Sequence, residues 1–68
     1  MEIIPGLIFI GKWYEGVTKV LAVDPVANKV TVSITLMQPN GMPYTWIEDH
    51  WNLTHLELGF ELRDYVAI

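Results

Sequence analysis

The stretch Lys29-Val30-Thr31-Val32-Ser33-Ile34-Thr35-Leu36 decides the fold. Val30, Val32, Ile34 and Leu36 alternate with Lys29, Thr31, Ser33 and Thr35, so an extended chain presents one apolar and one wet face. β-branched residues dominate it, as suits a pleated, half-buried surface. Toward the N-terminus, Asp24-Pro25-Val26-Ala27-Asn28 reads as a tight hairpin loop. Pro25 presets its φ angle, Asp24 can accept from nearby amides, and Asn28 tolerates the left-handed conformation that ends such loops. The strand before it is Val17–Val23, with Val20 and Ala22 on one face and Leu21 and Val23 on the other beside Lys19. Two partly apolar faces predict a strand that bends, or one whose outer face meets something else. Toward the C-terminus, Gln38–Met42 carries Asn40-Gly41, a strong short hairpin signal, and Tyr44–Ile47 is the returning strand.

The ends are less regular. Thr45-Trp46-Ile47-Glu48 fits a capping box, which predicts a single helical or 3-10 turn in the stretch that follows. From Leu56 alternation resumes: Leu56, Leu58, Phe60 and Leu62 oppose Glu57, Gly59, Glu61 and Arg63, which predicts the last strand, bent or bulged at Gly59. Gly6–Ile10 is a short first strand, and Lys12–Gly16 a loop holding Trp13, Tyr14 and Glu15. The expectation is all-β: one domain over residues 1–68, with five antiparallel strands and one short helical or 3-10 turn before the last. Pro5-Gly6 before the first strand, Val20-Leu21-Ala22-Val23-Asp24 running into a turn, and Trp46 before the single turn carry a likeness. The chain resembles the small SH3-like barrels of uncharacterised bacterial and phage proteins. The resemblance spans nearly the whole chain at the level of pattern. It implies first and last strands that meet to close a five-stranded barrel without free edges, and it brings no activity with it.

A chain of 68 residues makes one domain, and one this small buries only about 60% of its unfolded surface. The absence of cysteine excludes disulfides, thiolate metal sites and cysteine nucleophiles. Hydrophobic residues at 51% exclude disorder and overfill so small a core, so some must lie outside. The net charge is -4, and Lys12, Lys19, Lys29 and Arg63 are the only cations. That argues against nucleic acid, whose phosphates demand a basic surface. No apolar run exceeds four residues, Leu7-Ile8-Phe9-Ile10 being one of that length, which is too short for a membrane span. Met1-Glu2 does not open a secretion signal, so the default location is cytoplasmic.

No catalytic, metal or cofactor residue is assigned. His50 and His55, with Glu48, Asp49 and Glu57 nearby, lack the three or four converging ligands a metal needs, and a solvated loop is the ordinary reading. Ser33 falls on the wet face of its strand without a base, and the nucleophile-elbow, phosphate-loop and dinucleotide motifs are absent. A barrel this small is expected to hold no pocket of several hundred Å³. The aromatics carry more information: Trp13 and Tyr14 in the first loop, and Tyr44, Trp46 and Trp51 around the fourth strand. Such residues anchor partners, although small cores also use tryptophan as a plug. Trp46 is divided between those roles, and Trp13, Tyr14, Tyr44 and Trp51 are the candidate partner-binding residues. Glu15, Glu48 and Asp49 favour a basic or neutral ligand. The expected function is a non-enzymatic protein-interaction or regulatory module with an unidentified protein partner. A homodimer through Val17–Val23 and Tyr65–Ile68 is a related expectation. The alternative is a nucleic-acid or nucleoprotein-associated barrel, and a metal-dependent hydrolase using His50 and His55 comes last.

Overall fold

A computed structural model describes residues 1–68. The alternating stretch forms strand β3 (Lys29–Met37), flanked by β2 (Val17–Asp24) and β4 (Pro43–Asn52). β1 (Ile8–Gly11), helix α1 (Leu53–Glu61) and β5 (Tyr65–Ala67) complete the chain. The sheet is antiparallel, in the order β4-β3-β2-β1-β5. First and last strands meet, Phe9 opposite Ala67 and Ile10 opposite Val66. β4 and β5 each pair on one side only, so the sheet is not closed into a barrel.

Both hairpins form at the expected turns. Asp24 Oδ1 accepts from the amides of Val26 and Ala27, each at 3.1 Å, and Asn28 takes φ 57°. In the second turn Gly41 takes φ 83°, and Asn40 Oδ1 accepts from the Met42 amide at 2.9 Å.

β3 keeps its alternation, with Val30, Val32 and Ile34 buried. Its neighbours do not. Register shifts between Val20 and Ala22, leaving Leu21 as the extra residue of a bulge. Ala22 is therefore exposed, and Val23 packs against the core in its place, correcting the expected pairing of Val20 with Ala22. On the other side Val30 faces Trp51 while Val32 faces Glu48, so Asp49 and His50 bulge against Thr31. Both bulges lie at one level of β3, where each adds local twist and bends its strand.

Three expectations about the C-terminal third are corrected. Thr45, Trp46, Ile47 and Glu48 are strand residues of β4, and no capping box forms there. Leu56–Arg63 is not the last strand: Leu53–Glu61 is helical and the last strand is Tyr65–Ala67. The expected single turn is thus a nine-residue helix placed later. Asn52 is its N-cap, accepting from the His55 amide at 2.9 Å. Asn28 supplies two further acceptors: its carbonyl takes the Leu53 amide at 3.0 Å and its Oδ1 the Thr54 amide at 3.1 Å. Arg63, at φ 64°, ends the helix in a left-handed cap, with Asp64 N–H donating to Gly59 and Arg63 N–H to Phe60.

The core consists of Ile3, Phe9, Val20, Val30, Val32, Ile34, Leu56 and Phe60. Phe9 is its centre, edge-on to Phe60 at 5.1 Å, Tyr65 at 5.3 Å and Trp51 at 6.2 Å. Buried Thr18 is satisfied by a hydrogen bond between its Oγ1 and the Tyr14 hydroxyl.

Candidate functional site

Burial along the inner face of β3 falls toward its C-terminal end. Val30 and Val32 are fully covered, whereas Leu36 is half-buried. The reason is the helix. α1 starts beside the β2–β3 turn, where Asn28 holds it, and the Ile34–Leu36 end of the sheet is left without a lid. An open groove of about 490 Å³ lies there, lined by Tyr14, Glu15, Ile34, Leu36, Trp46, Glu48 and Trp51. No α1 residue lines it. The expectation that so small a domain holds no space of this size is corrected: a sheet covered over part of one face leaves a groove without enclosing a cavity.

The β4 bulge builds the aromatic wall. Trp46 and Glu48 are two apart and share the inner face, as strand alternation requires. Trp51 would fall on the opposite face of a regular strand, and the extra residue in Asp49-His50 returns it to theirs. Glu48 then sits between the indoles. Trp46 Nε1 donates to Oε2 at 2.8 Å and Trp51 Nε1 to Oε1 at 2.7 Å. These bonds, Trp51 first, hold the Glu48 carboxyl below its ordinary pKa of 4.5. Tyr14 meets Trp51 edge-on at 6.4 Å, and burial pushes its phenol pKa up against the opposing hydrogen bond with Thr18. Neither Glu15 nor Glu48 has a cationic partner: the ion pair is Lys12–Asp64 at 2.7 Å, and Asp49 Oδ1 lies 3.6 Å from His50 Nδ1.

The four expected partner-binding residues divide. Tyr14 and Trp51 line the groove. Tyr44 lies beyond it, half exposed, against Trp46 at 5.6 Å. Trp13 stands apart, 71% exposed, with Lys12 Nζ 4.8 Å from its ring centre. Trp46 both packs against the core and lines the groove. Sequence reasoning saw Glu48 as a helix cap or a nearby acid. Its position two residues after Trp46 on a strand was the available signal for a shared face. His50 on β4 and His55 in α1 are both exposed, and no three His, Asp or Glu side chains are grouped as a metal requires. No helix is long and apolar enough to cross a membrane.

No protein-family model, curated protein or solved structure matches the chain.

Proposed function

We propose that this chain is a non-enzymatic protein-interaction module that holds an extended segment of a partner in the groove between Tyr14, Trp46 and Trp51. The observation that carries the reading is the pair of groove tryptophans clamped on one carboxylate. Aromatic side chains fixed in this way offer contact area with little conformational entropy left to lose on binding. β4 is also a ten-residue strand with one free edge, along which an extended backbone could pair. The strand order β5-β1-β2-β3-β4 supports kinship with SH3-like barrels, with a helix, α1, in place of a single turn before the last strand.

The test is selection from a displayed library of random peptides, followed by titration of enriched peptides into isotope-labelled protein. The expected result is enrichment together with shifts confined to Tyr14, Leu36, Trp46, Trp51 and the β4 edge. A shift map centred elsewhere, or no enrichment over a Trp46→Leu variant of equal melting temperature, refutes it.

A second reading concerns the outer face. Val66, Ile10 and Val17 form one row across β5, β1 and β2, with Ile8 beside it, and all four are exposed. The two segments expected to mediate self-association thus flank β1 on one surface, which supports a homodimer. Light scattering across micromolar concentrations giving only monomer mass removes this reading.

A further inference from the structure

Resting on the interaction reading above, we infer that the partner segment places an arginine side chain in the groove. Charge complementarity carries the argument. Glu15 and Glu48 line the groove, no cationic residue does, and neither carboxylate has a cationic partner elsewhere. The rest of the lining is Tyr14, Ile34, Leu36, Trp46 and Trp51. A segment that covers this surface strips water from Glu48, whose charge is then met by two indole N–H bonds alone. A desolvated carboxylate without a counter-charge is costly, so a neutral segment binds against that penalty and a cationic one relieves it. The same two bonds lower the Glu48 pKa, so its charge is in place at neutral pH. Acceptors remain for the cation: each Glu48 oxygen takes one N–H and keeps a second lone-pair site, and Glu15 makes no hydrogen bond. Arginine suits the groove better than lysine because carboxylate and aromatic surface stand side by side there. A guanidinium is planar and weakly hydrated, so its faces lie on rings while the donors on its edge reach a carboxylate. An ammonium is a strongly hydrated point charge without a flat face. The groove also shares Glu15 and Leu36 with a second depression of about 360 Å³, lined further by Ile10, Val17, Thr35 and Met37. An extended segment can engage both spaces, which favours arginine within a chain over a free solute.

The three tryptophans make the test internal to one spectrum. The indole N–H signals of Trp46 and Trp51 report on the groove, and Trp13, outside it, serves as the control. The blocked peptide acetyl-Thr-Val-Arg-Val-Thr-amide is titrated into the full chain, alongside versions with citrulline or lysine in place of the arginine. Citrulline keeps the planar head and loses the charge, whereas lysine keeps the charge and loses the plane. The arginine peptide should shift Trp46 and Trp51 saturably and leave Trp13 unmoved. The citrulline peptide should bind at least about tenfold more weakly, and the lysine peptide about threefold. Added salt should narrow the gap between arginine and citrulline. Glu15→Gln, at a side chain that makes no hydrogen bond in this structure, should lower the arginine affinity about two- to fivefold at unchanged melting temperature. No saturable shift from the arginine peptide overturns the inference. So does citrulline or lysine binding as tightly as arginine, or movement of Trp13 with the other two. Library peptides that still shift Trp46 and Trp51 in that case would leave the interaction reading standing, and loss of all groove binding would remove both.

Discussion

Strand β3 and the β4–α1 segment carry similar amounts of apolar alternation, yet only β3 follows it. In β3 Val30, Val32 and Ile34 are buried in turn, and the strand runs without interruption between two partners. In β4 the alternation breaks at Asp49-His50, and the apparent strand from Leu56 is a helix. The contrast teaches where local pattern is sufficient. A central strand is paired on both sides, so a one-residue slip would expose its whole apolar set. A strand with one partner, as β4 has throughout and β2 has beyond Val20, can absorb an extra residue. A short apolar segment beyond it takes whichever conformation covers the core.

The strongest way to break that contrast is in the helix. On a strand Leu56 and Leu58 would share a face, whereas on a helix they point about 200° apart. Leu56 is 2% exposed and Leu58 48%. Leu56→Ala is expected to cost about 2–5 kcal/mol, enough to unfold much of so small a domain. Leu58→Ala should stay within about 0.5 kcal/mol of wild type. Urea denaturation of both variants measures the difference. Equal losses would mean that the alternating reading of Leu56–Leu62 was right after all.

Both signals were present in that segment. Leu53, Leu56 and Phe60 follow helical spacing as well as Leu56, Leu58, Phe60 and Leu62 follow strand spacing, and short apolar runs are ambiguous between the two. The helix covers the core with Leu56 and Phe60, and its start is held by Asn28, a turn residue 24 positions before the cap at Asn52, contacting it from another hairpin. No local pattern contains that contact. The hairpins were legible because Asp24, Asn28, Asn40 and Gly41 act within their own turns. The groove was legible in part. Tyr14 and Trp51 stood out as aromatics, but Glu48 could be placed between indoles only once the bulge had set Trp51 on its face. Closure of the sheet was implied by the resemblance; the first and last strands do meet, but β4 and β5 do not pair with each other, so the sheet stays open.

A second break concerns Gly59. Alanine in a helix interior is favoured over glycine by about 1 kcal/mol, so local propensity alone predicts that Gly59→Ala stabilises. The structure predicts the opposite. A Cβ there would lie 2.3 Å from Cδ2 of Tyr65. That ring cannot retreat easily, since it packs against Phe9 at 5.3 Å, Phe60 at 5.8 Å and Trp51 at 6.1 Å. A net loss of about 1–3 kcal/mol is expected in denaturant unfolding. Stabilisation would show that packing between α1 and β5 is looser than described.

Asn28 serves both regions. Its φ of 57° suits glycine, so Asn28→Gly removes the side chain without straining the turn. The Thr54 amide and hydroxyl, which donate to Asn28 Oδ1 at 3.1 Å and 2.9 Å, then lose their acceptor. The expected cost is about 1 kcal/mol. Asn28→Asp keeps the acceptor for Thr54 and adds charge favoured at a helix N-terminus, but it cannot donate to Asn52 Oδ1 as the Asn28 amide does, so it should recover only part of the loss. Hydrogen exchange should localise the loss for Asn28→Gly to the first turn of α1, with β3 amides unchanged. Faster exchange along β3 would mean that the turn, and not the helix, needs the side chain.

The smallest effect is the pH response of the Glu48 clasp. Folding lowers the Glu48 pKa through the bonds from Trp51 and Trp46, so the folded state binds its proton less readily than the unfolded state does. The clasp therefore contributes its full stabilisation above the ordinary carboxylate pKa of 4.5, and that contribution is lost as pH falls through the lowered folded value. Solvent screening at this accessible carboxylate keeps the stability change small. The spectroscopic response is the better readout. On acidification the indole N–H signals of Trp46 and Trp51 should move together with one midpoint below 4.5, while Trp13 does not follow. Glu48→Gln should abolish that shared titration, because an amide oxygen can accept from one indole while its NH₂ cannot accept from the other. Separate midpoints for the two tryptophans would mean that one carboxylate does not hold both. The bulge would then be kept by β3 pairing alone, and β4 would resemble β3 more than the structure shows.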